Sequence, residues 1–145
     1  MELKNIFSNI VKEVKSLEYS LGLIRDYVVE QGTDDIWTYR KWASGVAECW
    51  GRFISNVTWN KWGNVYQGTP SPQYATYPTG LFSTNPILSI VCYSTDGNSG
   101  TMGVEFYQAA STSRTPNFYA IRPDTGSTPA GFQAAFDITA KGSWR

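Results

Sequence analysis

The chain has 145 residues, twelve basic and twelve acidic side chains, and no histidine. That length suits one compact domain plus an appendage, and the zero net charge gives no bulk reason to expect nucleic acid. The missing imidazole removes the commonest general base, the commonest metal ligand and the usual partner of a nucleophilic cysteine or serine.

Residues 1–31 contain no proline and read as a helix. Leu3, Phe7, Ile10, Val14, Leu17, Leu21, Ile24 and Val28 recur at alternating spacings of four and three. This is a heptad seam with Phe7, Val14, Leu21 and Val28 at a, and Leu3, Ile10, Leu17 and Ile24 at d. A helix packed on its own domain shows a wider stripe of period 3.6, so the sustained period of 3.5 predicts a coiled coil. Isoleucine at d works against a dimer, and Ile6 at g and Val11 at e widen the apolar face. A parallel pairing brings Glu13 towards Glu18 of the next helix, a further argument against a tight dimer. The expectation is a parallel homotrimeric stem over 1–31, roughly 40 Å long at about 1.5 Å per residue. A turn over 32–35 follows, with Gly32 as the helix cap. Residues 1–35 carry net charge −3 and the remainder +3, so charge changes where the periodicity changes.

From residue 36 to 145 the period is two. "IWTYRKW", "GVAECWG" and "FISNVTWNKW" alternate, and "ILSIVCYS" is a nearly continuous apolar run that fits a strand buried on both faces. "TMGVEFYQ" and "NFYAIRP" follow. In "GFQAAFDITAKG", Phe132, Ala134, Phe136, Ile138 and Ala140 face one way and Gln133, Ala135, Asp137, Thr139 and Lys141 the other. Turn-rich segments separate these runs. The fold class is an all-β head, an antiparallel sandwich or barrel, behind a coiled-coil helix. No run of about 20 apolar residues spans a membrane, and no basic segment with an apolar core marks a secretory signal.

Among reactive residues, Cys49 lies in a strand with Ala47 on its own face and Glu48 and Trp50 opposite. A nucleophilic thiol needs an imidazolium, a helix N-terminus or a cluster of cations, so Cys49 is read as scaffold. Cys49 and Cys92 are the two cysteines, and a reduced, buried pair is expected rather than a bridge. Glu48 with Glu105 or Asp137 is the carboxylate pairing that a glycosidase would require, but each also reads as a solvated or salt-bridged strand residue. "STDGNSG" offers one carboxylate to a cation that takes six to eight oxygens, and a hairpin turn accounts for it. No catalytic residue, metal ligand or cofactor is assigned. Arg40, Lys41, Arg52 and Lys61 lie among Trp37, Trp42, Trp50, Trp59 and Trp62, a weak nucleic-acid footprint; such tryptophans belong more often to a core or an interface. Loops on a rigid scaffold are where binding concentrates. The ligand-binding candidates are therefore Tyr66, Tyr74, Tyr77, Asp96, Asn98 and Arg114, with packing of the loop as the alternative for Tyr77.

"IWTYRKWASGVAECWG", "TWNKWGNVYQG", "YPTGLFSTNPILSIVCYS" and the closing "FDITAKGSWR" together resemble the C-terminal domains of tail-fibre and minor structural proteins of phages infecting Gram-positive and gut bacteria. The likeness runs in order through residues 36–145, with "AECWG" and "GSWR" its more specific parts. It implies a trimeric β head at the end of a fibre, on a virion tail or an R-type bacteriocin-like contractile particle assembled in the bacterial cytoplasm. The implied partners are further copies of the chain, a bacterial surface glycan or wall polymer, and other tail or fibre proteins. A structural knob without ligand and a glycan depolymerase are the alternatives. No nucleic acid and no membrane insertion are expected.

Overall fold

The computed structural model describes residues 2–23, 26–95, 103–107, 110–130 and 132–145. Among these residues one helix, α1 (Leu3–Leu23), precedes eight strands. These are β1 (Val28–Asp34), β2 (Trp37–Trp42), β3 (Val46–Trp62), β4 (Val65–Thr69), β5 (Ile87–Ser94), β6 (Gly103–Tyr107), β7 (Asn117–Pro123) and β8 (Phe132–Ser143).

All ladders are antiparallel, and the long strand β3 joins two groups of them. Its first part pairs with β2 on one side and with β8 on the other, from Val46–Ser143 to Val57–Phe132. Its last five residues, Thr58 to Trp62, pair with β4. The first group therefore runs β1-β2-β3-β8-β5 and the second β3-β4-β7-β6. The sheet does not close into a barrel among the described residues.

The core lies where inward faces meet. Ala134, Phe136, Ile138 and Ala140 of β8 are fully buried, as the alternation predicts. Ala135 points outward yet is also buried, because Ile54 and Tyr93 flank it on the neighbouring strands. Phe53 and Phe136 of the first group meet Phe118 of the second, with ring centroids 4.9 to 6.1 Å apart. Fully burying one such side chain contributes about 1.5–3 kcal/mol. The segment between β4 and β5 supplies more core: Ala75, Tyr77, Leu81 and Phe82 are buried. Its backbone is held by Trp37 Nε1 donating to the Thr76 carbonyl at 2.6 Å and by Tyr77 N donating to that of Ser113 at 2.9 Å.

Gly51, the glycine of "AECWG", stands directly beneath the Ile36 carbonyl and the Trp37 ring. A Cβ there would collide with backbone that cannot move aside without opening the β1–β2 turn. Its packing role is thus a close approach of two main chains. Trp144 and Arg145 of "GSWR" grip the β2–β3 turn. Trp144 donates to the carbonyls of Trp42 (Nε1, 2.9 Å) and Gly45 (N, 3.0 Å), and Arg145 donates to that of Ala43. The chain arriving from α1 grips the same turn: Asp26 accepts from Ser44 N at 2.9 Å and Ser44 Oγ at 2.6 Å.

Two expectations change here. The helix is described as far as Leu23, Ile24 of the seam lies outside the described residues, and Val28, assigned to the seam, lies in β1 opposite Trp42. Gly32 is a strand residue beneath the Tyr39 ring rather than a helix cap. The β-branched pair Val28-Val29 opens a hairpin with "WTYRKW", and the ladder this closes outweighs a helical pattern that one more heptad would have continued. The turn is Asp35-Ile36, with Asp35 at a φ of 50°, a region that aspartate tolerates better than most residues. Secondly, β5 is not covered on both faces. Its ladder partner is β8, and Ile87 and Val91 point outward, 84% and 61% exposed.

Candidate functional site

The four loop candidates among the described residues, Tyr66, Tyr74, Tyr77 and Arg114, do not gather into one site. Tyr66 lies in β4, not in a loop, and is buried, its hydroxyl 3.5 Å from Thr128 Oγ1. Tyr77 is buried between Trp37 and Phe82, at ring distances of 5.5 and 5.1 Å. Its hydroxyl has no hydrogen-bond partner among the described residues, and burial pushes its ionisation well above the usual range. Tyr77 packs the loop, the alternative reading of this residue. Tyr74 and Arg114 do come together: the guanidinium stacks over the ring at 4.3 Å, and both are half-buried. The bridge between Thr76 and Arg114 holds this pair in place. Asp96 and Asn98 lie outside the described residues.

The cysteines occupy the inward face, both buried and unbridged. Cys49 stands opposite Ala140 and Cys92 opposite Phe136, so β8 separates them and the register offsets them by four residues. Their Cα atoms are thus more than about 7 Å apart, beyond disulfide reach. Burial raises both thiols to about 12, which leaves them protonated and inert at neutral pH.

The carboxylates are dispersed. Glu105 of β6 accepts from Gln67 Nε2 at 2.7 Å in the second strand group. Glu48 and Asp137 share the outer face of the first group, but Glu48 stands opposite Lys141, four residues along β8 from Asp137. Their backbones are about 13 Å apart. Asp137 is engaged by Arg52, whose Nε donates to Oδ1 at 2.7 Å and Nη2 to Oδ2 at 3.2 Å. That guanidinium holds the Asp137 carboxyl below its usual range. Lys61 pairs with Asp124 at 2.6 Å and Lys41 with Glu30 at 2.9 Å. Three of the four cations that lie among the tryptophans thus have carboxylate partners, and the fourth, Arg40, sits 5.1 Å over the Trp50 ring.

Open depressions among the described residues of the head include two of note. One, of about 240 Å³, lies between the β1–β2 hairpin and the 78–81 segment and includes Glu30, Asp34, Tyr39 and Lys41. The other, of about 350 Å³, lies on the outer face of β3 and β8 and is lined by Trp50, Gly51, Arg52, Asp137, Ile138 and Thr139. The sequence pattern placed Trp50, Asp137 and Thr139 outward but did not bring them together. The β3–β8 register does so, across 85 residues of chain between Arg52 and Asp137. No helix among the described residues is long and apolar enough to cross a membrane. Compared with known proteins, the chain matches no family model, no curated protein and no solved structure.

Proposed function

We propose that this chain is a receptor-binding protein of the tail-fibre type: a parallel homotrimer whose β head attaches to a bacterial surface glycan or wall polymer. The observation that carries this reading is the state of α1. Leu3, Phe7, Ile10, Val14 and Leu17 form its apolar stripe, and they are 84%, 71%, 53%, 47% and 63% exposed in the single chain. An isolated helix of this length is marginal in water, and a seam of period 3.5 is covered by other helices of the same kind. The head, in contrast, has its own core and a rigid β frame. A trimeric stem would hold three such heads on one axis, and simultaneous engagement would raise avidity at a repetitive surface. The implied setting is a virion tail or contractile particle, with other tail or fibre proteins holding the far end of the stem.

Two measurements test the proposal. Sedimentation at micromolar concentration is expected to give three times the chain mass of 16.2 kDa; a monomer overturns the trimer. Fluorescently labelled protein is expected to bind a restricted set of Gram-positive or gut bacterial strains, and enzymatic stripping of surface glycan is expected to abolish binding. Binding that survives stripping, or tight binding to a tail protein in place of cells, overturns glycan attachment.

A further inference from the structure

The geometry points to a binding site for a neutral sugar on the outer face of β3 and β8, in the trough between Trp50 and the Arg52–Asp137 pair. This inference rests on the glycan-binding reading above and gives it a place and a ligand class.

The trough follows from the pleat. Gly51 and Ile138 stand opposite each other, and both turn away from this face. Their backbone is left as a floor between two outward rows: Trp50 with Thr139, and Arg52 with Asp137. A large ring and a long guanidinium border an open trough of about 350 Å³, within the range of small-ligand sites. Arg40 reaches Trp50 from β2, the strand on the other side of β3 from β8. By register, the indole thus lies between Arg40 and the trough, with a cation to hold it.

The chemistry of the walls selects the ligand. A sugar ring presents a face of C–H bonds and a rim of hydroxyls, each both donor and acceptor. Trp50 offers the flat apolar surface for the first. Arg52, Asp137 and Thr139 offer donors and acceptors side by side for the second. The Nε/Nη2 fork of Arg52 is spent on Asp137, which leaves the remaining guanidinium N–H groups and carboxylate lone pairs for adjacent hydroxyls. The guanidinium also lies 5.5 Å over the Tyr93 ring, so the pair is held before any ligand arrives. Since the Arg52 and Asp137 charges cancel, the residues that line the trough carry no net charge, whereas a phosphate-rich or uronate-rich polymer would call for uncompensated cations.

The test uses the full chain on an array of neutral hexose and N-acetylhexosamine oligosaccharides, with glycerol-phosphate polymer as the anionic contrast and titration calorimetry on the best binder. Trp50→Ala removes the platform. Thr139→Trp fills the trough from an exposed wall position while leaving Trp50 and the Arg52–Asp137 pair in place, and Trp62→Ala controls for loss of an exposed tryptophan. The expected result is neutral-sugar binding by the parent, weakened about tenfold or more by both trough variants and unchanged in the control. Thermal unfolding of all three is expected to stay near that of the parent. Parent binding that both trough variants retain overturns the location and leaves glycan attachment standing. Binding of the anionic polymer alone overturns the ligand class. Absence of binding to the array and to cells overturns both readings.

Discussion

Phe7 and Phe136 each sit on the apolar face of a regular element, yet Phe7 is 71% exposed and Phe136 fully buried. The β head satisfies its hydrophobic faces within one chain: two strand groups meet through Phe53, Phe118 and Phe136, and the 70–86 segment adds Tyr77 and Phe82 to the same core. The helix has the same chemical need and meets it nowhere among the described residues. The difference separates a region that buries its apolar faces within one chain from one whose apolar stripe the described residues leave uncovered. The two meet at the β2–β3 turn, where Asp26 from the helix side and Trp144 and Arg145 from the other end of the sequence hold Trp42 to Gly45.

The sharpest way to break this comparison is to make the seam polar. The double change Ile10→Asp and Leu17→Asp is expected to abolish assembly, read as a fall to chain mass in sedimentation, while the unfolding transition of the head stays within about 0.5 kcal/mol. A large loss of head stability would mean that α1 packs on the head after all. The converse change, Phe136→Ala, is expected to cost the head about 3–5 kcal/mol in urea denaturation followed by tryptophan fluorescence. Phe7→Ala is expected to leave that curve in place.

Smaller changes sharpen the account of the head. Trp144→Phe removes the indole donor to the Trp42 carbonyl and is expected to cost about 0.5–1.5 kcal/mol of thermal stability. Tyr77→Phe removes a buried hydroxyl without a partner among the described residues and is expected to be neutral or to stabilise by up to about 1 kcal/mol. A loss of cell binding in that variant would instead restore Tyr77 as a ligand contact.

The smallest effect is a pH dependence. Asp137, held down by Arg52, Glu30 by Lys41, Asp124 by Lys61 and Asp26 by Ser44 all have carboxyls lowered in the folded state. Each contribution is complete above the unfolded value, 3.8 for aspartate and 4.5 for glutamate, and is lost as pH falls through the lower folded value. The melting temperature is therefore expected to hold steady between about pH 6 and 8 and to decline below about pH 4, and Asp137→Asn is expected to flatten that decline slightly. Because these pairs are largely solvated, the change is expected to be modest.

By itself the sequence determined whatever depends on periodicity. The 4-3 spacing from Leu3 to Leu17 marks a helix with one apolar stripe. The alternation from Ala134 to Ala140 assigns the inward face of β8, and that of "GVAECWG" places Cys49 inward and Trp50 outward. These are local properties, since the direction of a side chain follows from the repeat of its own element. Tertiary structure decided everything that depends on a partner distant in sequence. Val28 suits the seam as well as it suits a strand, and only the ladder to Trp42 chooses between them. "ILSIVCYS" reads as doubly covered, but no layer among the described residues covers its outer face, and Ile87 and Val91 stay exposed. Tyr66 and Tyr77, set among prolines and glycines, look like exposed loop rings until sheet and segment close over them. Arg52, Asp137 and Trp50 carry no shared motif; the β3–β8 register brings them to one trough, because strand pairing joins residues by position in the sheet and not by distance along the chain.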